Sequence, residues 1–398
     1  MNQIRGGIFL KIFNTVHPRK NTRSLKWDAL QSVFGTEDVI PMWVADMDLK
    51  APDAVNEALM KRVDHGIYGY TYIDDSVKHS ITNWLSKRHD WNVQSESLSF
   101  TSGVITSLHA AIQTLTEQGD QILIQTPVYP PFYHVIQNNN REIVTNSLIH
   151  TEGGYRIDFV DFERKLAQGV KAFILCSPHN PVGRVWTEEE LTTMAELCIK
   201  HNVLIISDEI HADLVYPGHQ HIPIASLSRE VSNHTITCMS PTKTFNLAGL
   251  QASFIVIENE KNRNRFNEQL KRSGNHMLNT LGITAMEAAY NHGEEWLDNL
   301  LTFLHDNQQY VTDMFSAYTK QLKVMPIEGT YLLWIDCSKL QMDQQSLERF
   351  MIHQAKVGLN PGYSYGKEGR LFMRMNIACP KATLEKGVKR IIQAVHTL

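Results

Sequence analysis

At 398 residues the chain exceeds the size at which one hydrophobic core stops growing, which predicts two domains. With 42% hydrophobic residues, 20% charged residues and a net charge of −4, it has ample apolar material and no basic excess, which argues against nucleic acid or an anionic membrane surface as a partner. The five cysteines, Cys176, Cys198, Cys238, Cys337 and Cys379, are widely spread and form no C-x-x-C, so neither a disulfide framework nor a zinc site is indicated, and the usage fits the reducing cytoplasm.

In chain order, Met1 to Phe13 contains an Ile8-Phe9-Leu10 triplet, but Lys11 breaks the apolar run and no small-residue cleavage site follows, so an N-terminal arm is expected there. Trp27 to Leu49 is rich in Trp, Pro and Asp and poorly periodic. It is expected to be an ordered loop segment leading into a helix over Asp53 to His65. Asp74 to Arg88 places Val77, Ile81, Trp84 and Leu85 at helical spacing. Between the two helices, Gly66-Ile-Tyr-Gly-Tyr-Thr-Tyr72 is too rich in hydroxyls for a core turn. After Leu98-Ser-Phe-Thr-Ser-Gly103 a helix is expected from Val104 to about Gln118, and the amides of such a helix start suit a phosphate.

Short apolar runs follow at Gln121 to Gln125, Ala172 to Cys176, Val203 to Ser207, Thr235 to Met239 and Ala252 to Ile257. They alternate with helical stretches such as Thr187 to His201, whose first turn is acidic. This alternation predicts an α/β fold: a mostly parallel central sheet with helices on both faces. Beyond about Gly282 the pattern becomes one long amphipathic helix carrying Trp296, Leu300, Leu304, Val311 and Phe315, then a smaller α+β domain with strands at Tyr331 to Asp336 and Leu371 to Asn376. The expected division is 51–285 for the large domain and 286–398 for the small one, which 1–50 joins.

The chemistry concentrates in Ser240-Pro-Thr-Lys-Thr-Phe-Asn-Leu-Ala-Gly249, one lysine among small, hydroxylated and apolar residues. A lysine becomes a nucleophile toward an aldehyde once its amine loses the proton, which apolar surroundings or a nearby cation promote. Ser240 and Thr242 suit phosphate oxygens, so Lys243 reads as the Schiff-base lysine of pyridoxal 5′-phosphate (PLP) beside an anion cradle. A lone S-x-x-K is also what a surface lysine in a Ser/Thr loop looks like.

Other groups follow the predicted strands, where open parallel sheets bind ligands. Asp208 can pair with a pyridine nitrogen, or simply cap a helix. Asn180, in an N-P-x-G turn, can donate to a ring phenolate, Tyr129 can stack on a flat ring, and Arg374 can fork onto a substrate carboxylate. A plain turn, a buried tyrosine and an ordinary salt bridge are their bland counterparts. His219-Gln-His221 has chelating residue types without a third ligand nearby, and both histidines are expected to be surface or loop residues.

The order Gly103, Tyr129, Asn180, Asp208, Lys243, Arg374 and the text around each residue resemble fold-type I PLP enzymes of the aminotransferase class I/II superfamily over nearly the whole chain. More narrowly, P-M-W-V-A-D-M-D, Y-G-Y-T, S-P-H-N-P-V-G-R-V-W, S-D-E-I-H-A-D-L and K-T-F-N-L-A-G-L-Q are similar to the bacterial cystathionine β-lyase (MalY/PatB) family. The resemblance implies a PLP-dependent transferase-like fold and a homodimer. It implies that Lys243 carries PLP and acts as general base, that Asp208 meets the ring nitrogen, and that Asn180 and His211 lie at the phenolate with Tyr129 on the ring. Val104 and Ile105 amides, Ser240, Thr242 and Tyr70 of the other subunit are implied at the phosphate, and Arg374, Asn180 and Ala45 at the substrate.

Two positions depart from the common aminotransferase pattern. His211 stands where a tyrosine is usual, and Gln251 where an arginine is usual; both resemble the lyase branch. The activity implied is α,β-elimination from L-cystathionine or other cysteine S-conjugates. The alternatives are a class I/II aminotransferase, which shares the chemistry through Cα proton removal, and a regulatory protein that shares the fold.

Overall fold

The computed structural model describes residues 12–275 and 277–398, so the arm expected at Met1 to Phe13 lies outside the described residues up to position 11. A seven-stranded sheet forms the centre of the fold. In chain order its strands are β1 (Leu98–Thr101), β2 (Gln121–Thr126), β3 (Glu142–Ser147), β4 (Ala172–Cys176), β5 (Leu204–Asp208), β6 (Thr235–Met239) and β7 (Ser253–Val256). Their spatial order is β1-β7-β6-β5-β4-β2-β3. Neighbours from β6 through to β3 are parallel, whereas β7 runs antiparallel to both β6 and β1. The expectation of a mostly parallel sheet is met.

The period-2 alternation of β4 explains why both faces are covered. Phe173 and Leu175 join a core with Phe162, Leu191, Met194 and Ile205, while Ala172 and Ile174 join one with Leu108, Ile112, Phe132 and Phe266. Both sets are apolar, so helices pack on each side. The helix at Glu188–Lys200 begins with a capping box, Thr187 accepting from the Glu190 amide and Glu190 from the Thr187 amide. That satisfies two otherwise orphaned amides and contributes about 1 kcal/mol.

A second, antiparallel sheet comprises β8 (Lys323–Val324), β9 (Leu332–Asp336), β10 (Asn360–Pro361) and β11 (Phe372–Asn376), in the order β8-β9-β11-β10. The segment before the first long helix is not all loop. It holds short helices at Leu25–Asp28 and Leu30–Phe34, and Ile40–Pro41 pairs in parallel with Val357–Gly358.

The single helix expected beyond Gly282 is two, Thr280–His292 and Glu294–Tyr318, joined at Gly293. A Cβ at Gly293 would come within 2.4 Å of the Phe245 ring and 2.5 Å of the Ala289 carbonyl oxygen. The helices therefore meet at a glycine that lets Phe245, two residues from Lys243, approach the backbone. Most other boundaries lie within a residue or so of expectation: Asp75–His89, Leu204–Asp208 and Phe372–Asn376.

Candidate active site

A cavity enclosing about 180 Å³ lies at the carboxyl ends of β4, β5 and β6, with Asn180, Asp208 and Lys243 on its wall. Lys243 stands on a four-residue turn, Pro241–Thr244, directly after β6. Ser240 caps this turn, accepting from the Thr242 amide at 3.1 Å and donating to the Ala252 carbonyl at 2.7 Å. The Lys243 amine donates to the Ala45 carbonyl at 2.5 Å, and Tyr331 donates to the same oxygen at 2.9 Å. Burial lowers the amine's pKa to about 8 and the Arg374 guanidinium adds to the effect, against Asp46 and Asp208. The amine thus loses its proton far more readily than an ordinary lysine.

Asp208 ends β5 and is 4% exposed. It accepts from the Ile210 amide at 3.2 Å and forms no ion pair among the described residues. Burial raises its pKa to about 7, and neighbouring Glu209 pushes the same way against the Ile210 amide and Lys243. A carboxyl so placed calls for a cationic partner within the cavity.

Arg374 presents the opposite case. It projects from β11, 4% exposed, and donates to Asn180 Oδ1 at 3.1 Å, the Trp43 carbonyl at 2.8 Å and Asn360 Oδ1 at 2.9 Å. Its guanidinium carbon lies 5.1 Å from the centre of the Tyr365 ring, and its Nε has no hydrogen-bond partner among the described residues. Every acceptor is neutral, so the ordinary salt bridge is not what holds this residue. A buried guanidinium without a counter-charge is a receptor for an anion, and the planar fork suits a carboxylate.

Asn180 is held in its loop by hydrogen bonds from the Gly183 amide to the His179 carbonyl at 2.7 Å and from the His179 amide to the Arg184 carbonyl at 2.8 Å. Gly183 has φ +72°, and a Cβ there would lie 2.7 Å from Ile327, so the turn needs glycine. With Oδ1 engaged by Arg374, the Asn180 amide group keeps its donors for another partner. His211 is buried and its Nδ1 has no hydrogen-bond partner among the described residues. Burial lowers its pKa to about 3, helped by Lys243 and Arg374, so the ring is neutral. Tyr129 is half-buried on the wall, edge-on to Phe132.

At the other end the lining includes Gly103, Val104, Ile105, Thr242 and Gln251. The helix Val104–Leu115 starts there without a side-chain cap, and no atom lies within 4 Å of a Cβ built on Gly103. An uncapped helix start on a cavity wall is suited to an anion. The described lining holds no arginine at this end.

Of the residues singled out in the sequence, Ala45, Val104, Ile105, Tyr129, Asn180, Asp208, His211, Thr242 and Lys243 line one cavity, and Arg374 reaches it through Asn180. Ser240 stands behind Thr242, and Tyr70 is 97% exposed and away from its own chain's cavity. The sequence reading missed Trp43, Tyr331, Asn360 and Tyr365. Trp43 takes part through a carbonyl, for which side-chain patterning carries no signal, and Tyr331, just before β9, reads only as the end of a strand. Both histidines lie in a loop as expected, His219 exposed and His221 buried, with its Nε2 2.8 Å from Glu209 Oε2. The carboxylate of Glu209, on the turn after β5, draws the imidazole inward.

The family model for aminotransferase class I and II matches residues 37–391. Cystathionine beta-lyase PatB of Bacillus subtilis is 45% identical over 384 residues, 96% of this chain and 99% of that protein. Protein MalY of Escherichia coli is 36% identical over 389 residues, 97% of this chain and 99% of that protein. The crystal structure of cystalysin from Treponema denticola, which contains a pyridoxal 5′-phosphate cofactor, superposes with a TM-score of 0.94 at 37% identity, covering 97% of this chain and 98% of that one. A match of this extent, on a chain whose cavity lies at the carboxyl ends of a mostly parallel sheet, shows that the protein belongs to the class I and II aminotransferase family.

Proposed function

We propose that this protein is a PLP-dependent carbon–sulfur β-lyase that cleaves L-cystathionine or other cysteine S-conjugates to a thiol, pyruvate and ammonia. The observation that carries the reading is the pair of buried, opposite charges, Asp208 and Arg374, without an ion pair among the described residues and near a lysine with a lowered pKa. The names of its relatives, cystathionine beta-lyase PatB among them, point the same way.

PLP fits these residues. The uncapped helix start with Thr242 would hold its phosphate, Asp208 its ring nitrogen, the Asn180 amide its phenolate oxygen, and Tyr129 would stack on its face. Lys243 is the amine in reach of its aldehyde. When bound, PLP supplies an electron sink conjugated to the substrate Cα.

Each residue then has a defined task. Arg374 takes the α-carboxylate in place of its neutral acceptors and orients the Cα–H bond. Lys243 Nζ removes the Cα proton, which its lowered pKa permits near neutral pH. Asp208, as carboxylate, would hold a proton on the pyridine nitrogen of the bound cofactor. The Cβ–S bond breaks with its electron pair going to sulfur, which takes up a proton and leaves as thiol. The released 2-aminoacrylate is hydrolysed by water to pyruvate and ammonia, so no oxidant or acceptor is required. In this reading 51–285 carries the cofactor side of the cavity, and 286–398 with 1–50 the Arg374 side. The five cysteines are free and buried, which supports a cytoplasmic setting.

The deciding assay supplies cystathionine or another S-conjugate without a 2-oxo acid. Thiol and pyruvate are expected in equal amounts. Turnover that requires a 2-oxo acid and releases no thiol would replace the lyase with an aminotransferase.

The working unit is a homodimer in this proposal. Ile67, Tyr68, Tyr70 and Tyr72 are 66%, 58%, 97% and 80% exposed, an aromatic and apolar surface unusual for a monomer. Tyr70 of one subunit would reach the phosphate end of the other's site. Tyr70→Asp, which sets a like charge against the phosphate, and Lys243→Ala should each be inactive. Mixing the two gives about half mixed dimers, each with one intact site, so roughly a quarter of all sites should recover. Mixed dimers confirmed by tag pull-down but no more active than either parent would remove Tyr70 from the neighbouring site.

A further inference from the structure

A chain of buried polar groups runs beneath the cavity without touching it. Thr244, next to Lys243, donates to Asp213 Oδ2 at 2.7 Å. Asp213 Oδ1 accepts from Trp84 Nε1 at 3.0 Å and lies 2.9 Å from His89 Nε2. The His89 ring stands edge-on to that of His221, their centres 5.4 Å apart, and His221 Nε2 lies 2.8 Å from Glu209 Oε2. Glu209 Oε1 accepts from Ser207 Oγ at 2.8 Å and the Ile224 amide at 3.2 Å. The chain thus starts one residue after Lys243 and ends one residue after Asp208. Thr244, Asp213, His89, His221 and Glu209 are 0%, 6%, 6%, 4% and 1% exposed.

Two carboxylates and two imidazoles in a protein interior contribute little net stability compared with well-packed apolar side chains, so packing alone does not account for them. What they do uniquely is join three elements: the Lys243 turn, the end of β5, and the helix Asp75–His89. The Lys243 turn is only four residues long and needs such an anchor. Burial pushes the Asp213 carboxyl up, but the His89 contact and the Thr244 and Trp84 hydrogen bonds outweigh it and hold the group ionised.

We propose that Asp213, held by His89 and Trp84, is a positioning residue that fixes Lys243 through Thr244, and that His221 and Glu209 extend the same support to Asp208. This inference rests on the PLP reading, because its test follows the visible band of the bound cofactor.

Thr244→Val keeps the shape of the side chain and removes the hydrogen bond. In the holoenzyme it is expected to lower kcat by roughly ten- to a hundredfold with KM within about twofold, since a misplacement of about 1 Å can cost about a hundredfold. The protonation midpoint of the visible band should shift as well, and Thr244→Ser should restore both. Asp213→Asn should show the same kcat and spectral signature, and serves if the valine variant does not fold. Variants that only melt earlier, with kcat and band midpoint as in wild type, overturn the proposal, as does failure of Thr244→Ser to restore either quantity. A wild-type protein without the band would overturn the PLP reading and this inference together; a normal wild-type band with unaltered variants overturns this inference alone.

Discussion

Lys243→Ala is expected to abolish the visible cofactor band and to lower thiol release by roughly three orders of magnitude or more, because the change removes the site's aldehyde-binding amine and its proton acceptor together. The environment of the amine explains why nothing nearby can replace it. The neighbouring bases are poor substitutes: burial lowers the His211 pKa to about 3, which makes it a weak base, and Asp208 would be engaged by the ring nitrogen in the proposed complex. The Ala45 carbonyl, which accepts from the amine and from Tyr331, would keep only Tyr331 in the variant. Since Thr242 and Ser240 retain their bonds, the turn itself should survive, and the melting temperature of the cofactor-free protein should change little. Absorbance spectroscopy and a thiol assay on one preparation check both parts. A variant with the native band and near-native turnover would move the cofactor to another lysine.

Most of the large sheet was legible in the sequence because most of its strands are short, mainly apolar and separated by amphipathic helices. β4 and β6 begin and end where the residues predict, since both faces of each are buried. β3, Glu142–Ser147, was not legible. It is an edge strand of mixed polarity and partial exposure, with no run of apolar residues to mark it. The break at Gly293 was hidden for another reason: the apolar stripe continues across it, and only the close approach of Phe245 from a distant part of the chain requires glycine there.

At the site, residues that follow a strand were legible one by one, because the carboxyl end of a parallel strand is where a charged side chain has chemical use. Asp208, Asn180 and Lys243 all belong to this class. Arg374 was identified but its surroundings were not. Its neutral acceptors come from the Trp43 carbonyl, Asn180 and Asn360, which lie far apart in sequence, so only the folded chain reveals that this arginine has no counter-charge. The buried link from Thr244 to Glu209 was hidden in the same way, because Trp84 and His89 sit on a helix whose pattern speaks only of packing.

Asp208→Asn should lower turnover by roughly two to three orders of magnitude, the size of effect seen when one preorganised electrostatic partner is removed from a site. The same substitution should stabilise the cofactor-free protein. In that form Asp208 is buried without a cation, and its pKa stands at about 7 against an ordinary 3.8. Between these values the folded chain binds more protons than the unfolded one, so stability falls as pH rises from about 4 to about 7 and the full penalty persists above. Asparagine does not ionise and escapes the penalty, while its side-chain oxygen can still accept from the Ile210 amide. The gap between variant and wild type should therefore be small near pH 4 and open to at most about 4 kcal/mol by pH 8. With PLP bound the order should reverse, because a protonated ring nitrogen gives the carboxylate the partner that the cavity otherwise lacks. Melting temperatures of both proteins at pH 5 and pH 8, with and without the cofactor, test each step. If the cofactor-free gap did not change with pH, Asp208 would already be compensated within the chain, and its role as the ring-nitrogen partner would lose its physical basis.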